Sequence, residues 1–130
     1  MNREIKFRGK NYENKWKYGD LVQEKWKQGK AIMIKKETTA WSVLEDTVGQ
    51  YTGLHDKNGK EIYEGDIVVD KEDEVMGEIT WNEEEASFYF SILYENGTYE
   101  EEKLNDWASV LEVIGNIYDN PELLGGEDEC

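Results

Sequence analysis

Residues 51–68 read Tyr-Thr-Gly-Leu-His-Asp-Lys-Asn-Gly-Lys-Glu-Ile-Tyr-Glu-Gly-Asp-Ile-Val. Near the middle of this stretch, Asn58-Gly59 lies between Leu54 and Ile62, and Asn-Gly favours a tight β-hairpin because both residues accept a positive φ. The next residues, Ile67-Val68-Val69, are apolar on both faces, as an interior strand requires. The stretch therefore predicts a hairpin that leads into a buried strand.

The sequence on both sides continues this pattern of short apolar alternations separated by turns. Residues 76–81 and 88–93 are predicted as two strands joined by an acidic turn, and Asn96-Gly97 predicts a second tight hairpin. The whole pattern predicts a mainly β fold, either a small barrel-like fold or a strongly bent antiparallel sheet. Residues 120–126, Asn-Pro-Glu-Leu-Leu-Gly-Gly, predict one short helical turn near the C-terminus, since Pro tolerates the first helical position and Gly ends a helix.

The length of 130 residues suits one domain, which we predict over residues 1–126, with residues 127–130 as a frayed acidic tail. The sequence contains five Trp, eight Tyr and three Phe, so aromatic side chains must supply much of the core. The residues predicted to be mostly buried are apolar members of the alternating segments: Trp16, Tyr18, Ile67, Val69, Ile79, Trp81 and Ile114.

Cysteine content and hydropathy exclude several classes of protein. Cys130 is the only cysteine, so neither an intramolecular disulfide nor a thiolate metal cage is possible. The N-terminus does not read as a signal peptide, and no apolar run approaches the roughly 20 residues of a membrane helix. We therefore expect a cytoplasmic protein that does not enter a membrane.

The net charge of −15 is distributed unevenly along the chain. Residues 1–36 contain eleven Lys or Arg and four acidic residues, whereas residues 37–130 contain four Lys and twenty-six acidic residues. A solvated acidic surface is the simplest interpretation. The alternatives are a charge match within one subunit or between neighbouring subunits, or a basic face for a polyanion.

Three stretches resemble the YopX family of phage and prophage proteins. They are Arg3 to Arg8 with Trp16-Lys17-Tyr18-Gly19, the 51–68 stretch, and residues 113–124, Val-Ile-Gly-Asn-Ile-Tyr-Asp-Asn-Pro-Glu-Leu-Leu. The resemblance spans nearly the whole chain and is loose only between residues 70 and 104. It implies a β-rich fold, a tendency to self-associate and a setting in low-GC Gram-positive bacterial hosts. It implies no established activity and no catalytic residues.

Few residues of the sequence support a catalytic site or a metal site. The enzyme alternative is a small hydrolase or metal-dependent enzyme built around His55, Asp56, Glu64 and Asp66. Against it, no serine lies in a Gly-x-Ser-x-Gly elbow, and the Asp56 region departs from calcium-loop spacing because Gly59 and Lys60 fall at the wrong positions. Phosphate-binding loops are missing too. We assign no catalytic, cofactor-binding or metal-binding residue and expect no cofactor.

A further alternative is nucleic-acid binding through the N-terminal segment. There, Lys and Arg residues that neutralise phosphates alternate with aromatic residues that stack on bases, although the overall negative charge opposes this. The aromatic members are Tyr12, Trp16, Tyr18 and Trp26, and the basic members are Arg3, Lys6, Arg8, Lys10, Lys15, Lys17, Lys25, Lys27 and Lys30. The acidic runs 70–74, 83–85 and 100–102 could instead imitate a phosphate backbone. The sequence favours a non-enzymatic accessory protein that binds an unidentified host or phage protein and forms a homo-oligomer.

Overall fold

The computed structural model describes residues 4–125. The chain divides into two compact units, Met1–Gly53 and Leu54–Cys130. The prediction of one domain over residues 1–126 stays a prediction, and the tail at 127–130 lies outside the described residues. The first unit has a net charge of +4 and the second a net charge of −19, so this division nearly coincides with the charge split.

The first unit contains five strands of a six-stranded antiparallel sheet, in the order β4-β3-β2-β1-β5. Its strands are β1 (Phe7–Lys10), β2 (Trp16–Trp26), β3 (Gly29–Lys36), β4 (Thr39–Ser42) and β5 (Gly49–His55), whose last two residues belong to the second unit. A 3-10 turn at Glu45–Thr47 joins β4 to β5. The Thr47 hydroxyl accepts a hydrogen bond from the Lys10 N–H at 2.8 Å and so fixes this turn against β1.

The second unit contains an antiparallel sheet with strand order β10-β9-β8-β7-β11. The strands of this sheet are β7 (Asp66–Asp70), β8 (Val75–Asn82), β9 (Ser87–Leu93), β10 (Tyr99–Lys103) and β11 (Glu112–Asn116). Strand β6 (Glu61–Tyr63) follows the hairpin after β5 and pairs with β5 instead of joining this sheet. Three 3-10 turns lie at Leu104–Asp106, Ala108–Val110 and Pro121–Leu124. The predicted interior strand at Ile67-Val68-Val69 is confirmed as β7, between β8 and β11.

The predicted hairpin at Asn58-Gly59 is confirmed with a loop of three residues. The Asp56 N–H donates to the Lys60 carbonyl at 2.8 Å and closes the loop. Gly59 has a φ of 84°, which residues with a side chain adopt at a cost. The Asn-Gly pair therefore predicted the position of this turn correctly.

One face of the second sheet is buried in a core of eight apolar residues: Ile62, Val68, Ile79, Phe90, Ile92, Leu104, Ala108 and Leu111. Strands β8 and β9 approach closely at Gly77, where a Cβ atom would overlap the carbonyl group of Ser91. Because side chains alternate along a strand, Glu78 and Thr80 point to the face opposite Ile79. Because Ile79 faces the core, Glu78 and Thr80 lie on the other face of the sheet, which we call the open face.

The core prediction is correct for Ile67 and Ile79, which are both fully buried. It is wrong for Tyr18, Trp81 and Ile114, which are 42%, 38% and 38% exposed. Trp16 and Val69 are intermediate in exposure. Trp81 shares a face with Ile79 but lies next to the end of β8, where its ring packs edge-on against Phe88 at 4.8 Å. Alternation predicts which residues share a face, but not where along the strand the core ends.

The mainly β prediction is confirmed, and the two sheets are bent. Neither sheet closes into a barrel, which corrects the barrel-like alternative, because each sheet has strands at its edges that do not pair with each other. The predicted C-terminal helical turn is also confirmed at Pro121–Leu124, with Gly125 in the left-handed region after it. Asn120 accepts a hydrogen bond from the Asn116 N–H at 3.2 Å instead of capping this turn.

Candidate binding surfaces

Asp56, one of the four residues of the enzyme alternative, stabilises the backbone of the second unit. Its Oδ1 accepts hydrogen bonds from the N–H groups of Asn58 at 2.8 Å and Lys60 at 2.9 Å. Its Oδ2 accepts one from the N–H of Val113 at 2.9 Å, 57 positions along the chain. The carboxylate therefore holds the hairpin loop together and ties it to β11.

The environment of Asp56 favours its charged form. Burial alone would raise the pKa of this carboxyl, but three backbone hydrogen bonds and the positive charge of Lys60 together outweigh burial and lower the pKa below 3.8. A general acid needs the opposite shift, toward neutral pH. The geometry and charge of Asp56 therefore match a structural carboxylate.

The other three residues of the enzyme alternative lie near this hairpin in different environments. Asp66 is 2% exposed, and its Oδ2 accepts a hydrogen bond from the Tyr63 N–H at 2.7 Å. His55 is exposed at the end of β5, and Glu64 is partly buried in the turn before β7. Within residues 4–125, no three His, Cys, Asp or Glu side chains are grouped to hold a metal ion.

Many cations of the N-terminal segment contact aromatic rings of their own unit. The Arg8 guanidinium lies 4.6 Å from the Trp16 ring centre, and the Lys10 ammonium lies 5.6 Å from the same ring. The Lys17 ammonium lies 4.7 Å from the Trp41 ring. Arg8 and Lys10 are only 6% and 7% exposed. These cation–π contacts stabilise the first sheet and withdraw buried cations from any external polyanion.

A different part of the same segment is open to solvent. Strands β2 and β3 form a long hairpin around the turn at Lys27-Gln28, and all eight residues 23–30 at its end are exposed. We call residues 23–30 the arm. Trp26 in the arm is 59% exposed, and its indole N–H donates to Glu24 at 3.1 Å. An exposed Trp on an ordered hairpin is typical of a protein interface.

The arm also presents two lysines on one face. Lys25 and Lys30 are directly opposite each other on β2 and β3, and Lys30 pairs with Glu45 at 3.0 Å. Like charges directly opposite on neighbouring strands destabilise a sheet. Glu45 offsets part of the charge of Lys30, and a partner that brings further negative charge to this face would relieve the remaining repulsion.

The open face of the second sheet contains a groove of about 300 Å³. Three adjacent strands line it, with Leu124 of the C-terminal turn alongside them. The strand residues of the groove are Glu78 and Thr80 from β8, Ser91 and Leu93 from β9, and Tyr99 and Glu101 from β10. We call this the β8–β10 groove.

Glu78 is the more buried of the two groove carboxylates, and its environment disfavours negative charge. Burial raises the pKa of Glu78 above 4.5, and the nearby negative charge of Glu64 raises it further. Glu101 is exposed at the edge of the sheet. A cation placed between the two carboxylates would stabilise the charged form of Glu78.

The three acidic runs have different local roles. In the first run, Asp70 is buried, and its Oδ1 accepts the Glu72 N–H at 3.0 Å within the turn. Elsewhere, Glu83 accepts the Trp81 indole N–H at 3.2 Å, and Glu100 accepts the Tyr94 hydroxyl at 2.8 Å. Asp70 therefore organises a turn, while residues 83–85 and 100–101 of the other two runs present exposed carboxylates.

Sequence reasoning identified individual residues of the arm but not the arm as a surface, and it did not identify the groove. Lys25, Trp26, Lys27 and Lys30 were identified as basic or aromatic members of the N-terminal segment, but nothing separated them from the buried members. The groove residues come from three strands that meet only after the sheet forms. One signal was present: Glu78 and Thr80 alternate with Gly77 and Ile79, which marks a polar face.

Fold and surfaces together define a small, mainly β protein with a basic unit and an acidic unit. The chain belongs to the YopX protein family, whose sequence profile matches residues 6–125. It is similar to the crystal structure of protein EF1440 from Enterococcus faecalis, with 26% sequence identity and a TM-score of 0.52. That similarity covers 95% of this chain and 99% of the other. A comparison with curated proteins finds no match.

The described part of the chain contains no helix with the length and apolar character to cross a membrane.

Proposed function

We propose that this YopX family member is a non-enzymatic accessory protein of a phage or prophage that acts by binding in the host cytoplasm and self-associates through the arm. One observation carries the proposal: the arm is an ordered hairpin end with eight consecutive exposed residues, including Trp26 and three lysines. Folding alone gives no reason to expose a Trp there, whereas an interface uses it as an anchor.

Charge favours a second copy of the chain as the partner. The second unit has a net charge of −19. Each chain contains one arm and one acidic unit, so the two surfaces are always present at equal concentration. Local attraction between the basic arm and an acidic unit would orient the two copies in contact, and burial of Trp26 would supply apolar contact. We expect the assembly to persist at high salt because apolar contact is not screened.

Binding is a better explanation than catalysis for the region around His55. Asp56 has backbone N–H partners on both carboxylate oxygens, and Asp66 accepts a backbone N–H through Oδ2. A general acid or base must instead present its carboxyl group to a substrate. This favours the binding proposal over the hydrolase alternative.

Sedimentation velocity at micromolar concentration tests self-association. We expect a mass above the 15.2 kDa of one chain in both low and high salt. Trp26→Ser should weaken assembly by about tenfold or more, because Trp residues often dominate interfaces. Tyr12→Ser is the matched control, since Tyr12 is 74% exposed in the same unit but lies outside the arm. A wild-type monomer at every salt concentration would overturn the proposal.

A further inference from the structure

The arm presents a pair of cations whose spacing is fixed by the hairpin. Lys25 and Lys30 are opposite residues of β2 and β3 and therefore extend from the same face. Lys27 adds a third positive charge at the turn. Glu24 is the single acid within the arm, and Glu45, outside the arm, pairs with Lys30 at 3.0 Å. The arm therefore suits an acceptor that offers at least two negative charges on one surface.

The β8–β10 groove offers such a pair of carboxylates. Glu78 on β8 and Glu101 on β10 are each directly opposite Ser91 on β9, so all three lie in one row across the sheet. Two strand spacings separate the backbones of Glu78 and Glu101, which is about 10 Å. Two lysine side chains that diverge from neighbouring strands can span that distance, since each has four flexible methylene groups.

The size and lining of the groove also suit side chains of a protein. About 300 Å³ is at the lower limit for pockets that enclose a whole small molecule, so the groove fits a few side chains better than a complete ligand. Leu93 and Leu124 provide apolar surface for lysine methylenes, and the hydroxyl groups of Thr80, Ser91 and Tyr99 can accept hydrogen bonds from ammonium groups.

We propose that the β8–β10 groove is the acceptor for the arm of a second copy, with Lys25 and Lys30 of one chain placed against Glu78 and Glu101 of the next. This inference rests on the proposed self-association and places the lysine face of the arm against the groove, while Trp26 extends from the opposite face of the hairpin. Because the two surfaces differ, the contact is heterologous, and repetition of it makes a ring or an open chain.

A second copy fits the arm better than a nucleic acid does. The arm provides three lysines and one acid, whereas Arg8, Lys10 and Lys17 of the same unit contact aromatic rings. Nucleic-acid binding that depends on phosphates usually neutralises several of them, more than the lysines of the arm provide. The groove offers two carboxylates, which Lys25 and Lys30 match in number.

Charge reversal on each surface tests the contact, with sedimentation velocity as the measurement. Lys25→Glu/Lys30→Glu makes the arm acidic, and Glu101→Lys makes the groove less acidic. Each variant alone should associate about tenfold more weakly than the wild type or worse, because like charges would meet. The matched controls, Lys15→Glu/Lys36→Glu and Glu84→Lys, change exposed residues outside both surfaces and should associate normally. Circular dichroism confirms that every variant is folded.

Mixing the two reversed variants gives the decisive result. In an equimolar mixture, the unaltered arm of the Glu101→Lys chain can meet the unaltered groove of the Lys25→Glu/Lys30→Glu chain, which is the wild-type contact. The acidic arm of the Lys25→Glu/Lys30→Glu chain can meet the altered groove of the Glu101→Lys chain, so opposite charges meet there too. We therefore expect the mixture to recover association that each variant lacks alone. Recovery supports the inference, and continued dissociation in the mixture overturns it.

Two other outcomes separate this inference from the proposed function. If the arm variant dissociates while Glu101→Lys and Glu78→Gln both associate as the wild type does, the groove is not the acceptor and self-association through the arm stands. If the wild type is monomeric and binds a labelled oligonucleotide through the arm lysines, both proposals are wrong and the arm is a nucleic-acid surface.

Discussion

Replacing Asp56 with Ala removes the acceptor of three backbone N–H groups at once. The hydrogen bonds from Asn58, Lys60 and Val113 measure 2.8, 2.9 and 2.9 Å, and Asp56 itself is 6% exposed. The first two bonds organise the hairpin loop, and the third joins the loop to β11. The substitution therefore weakens both a local turn and a contact between distant parts of the chain.

The expected loss follows from the donors that lose their partner. Hydrogen bonds to charged groups contribute about 1.5–3 kcal/mol each. Asn58 and Lys60 are exposed, so water can satisfy their N–H groups after the substitution, whereas the half-buried Val113 N–H has less access to water. We expect Asp56→Ala to lower the free energy of unfolding by about 3–5 kcal/mol. Asp56→Asn keeps one carbonyl oxygen and should cost less, about 1–3 kcal/mol.

The lowered pKa of Asp56 gives this effect a specific pH dependence. The unfolded chain binds a proton at this carboxyl near pH 3.8, and the folded chain binds it only at lower pH. Stability from the charged carboxylate is therefore complete above the unfolded value and is lost as pH falls through the folded value. The difference between wild type and Asp56→Asn should shrink over that acidic range.

Urea unfolding followed by Trp fluorescence, at neutral pH and in a series of acidic buffers, measures both effects. Asp73→Ala is the matched control because Asp73 is an exposed Asp in a turn of the same unit, and it should change stability by less than about 0.5 kcal/mol. If Asp56→Ala unfolded at the same urea concentration as the control, the structural role assigned to this carboxylate would be wrong.

Three further substitutions test the second unit, each by the same urea titration. Gly77→Ala should destabilise by about 2 kcal/mol or more, since its Cβ would overlap the Ser91 carbonyl group; an unchanged midpoint would contradict the close approach of β8 and β9. Gly59→Val should cost about 1–2 kcal/mol because of the φ of 84°, while Gly59→Asn, which tolerates that φ, should cost less. Glu78→Gln should raise stability at neutral pH, because the raised pKa of Glu78 means that its negative charge opposes folding. The gain should vanish below about pH 4.5, where Glu78 is protonated in both the folded and the unfolded chain. A loss of stability at neutral pH would refute the argument.

Local sequence predicted the turns and strands of this protein well and its surfaces poorly. The hairpin at Asn58-Gly59 and the interior strand at Ile67-Val68-Val69 were predicted because glycine conformation and apolar alternation act over a few residues. The environment of Asp56 could not be predicted, because one of its three partners, Val113, is 57 positions away. A sequence pattern shows that a carboxylate is near a turn, but not which backbone groups will surround it.

By itself the sequence determined the mainly β class, the positions of the tight turns, the C-terminal helical turn and the division of charge along the chain. These features depend on residue types and spacings that act within a few positions. Only the tertiary structure decided that about two-fifths of the Tyr18, Trp81 and Ile114 surfaces stay exposed, that Arg8 and Lys10 are buried, and that Glu78 and Glu101 share one groove. The physical reason is that burial and proximity depend on which strands become neighbours, and strand neighbours are set by packing across the whole unit.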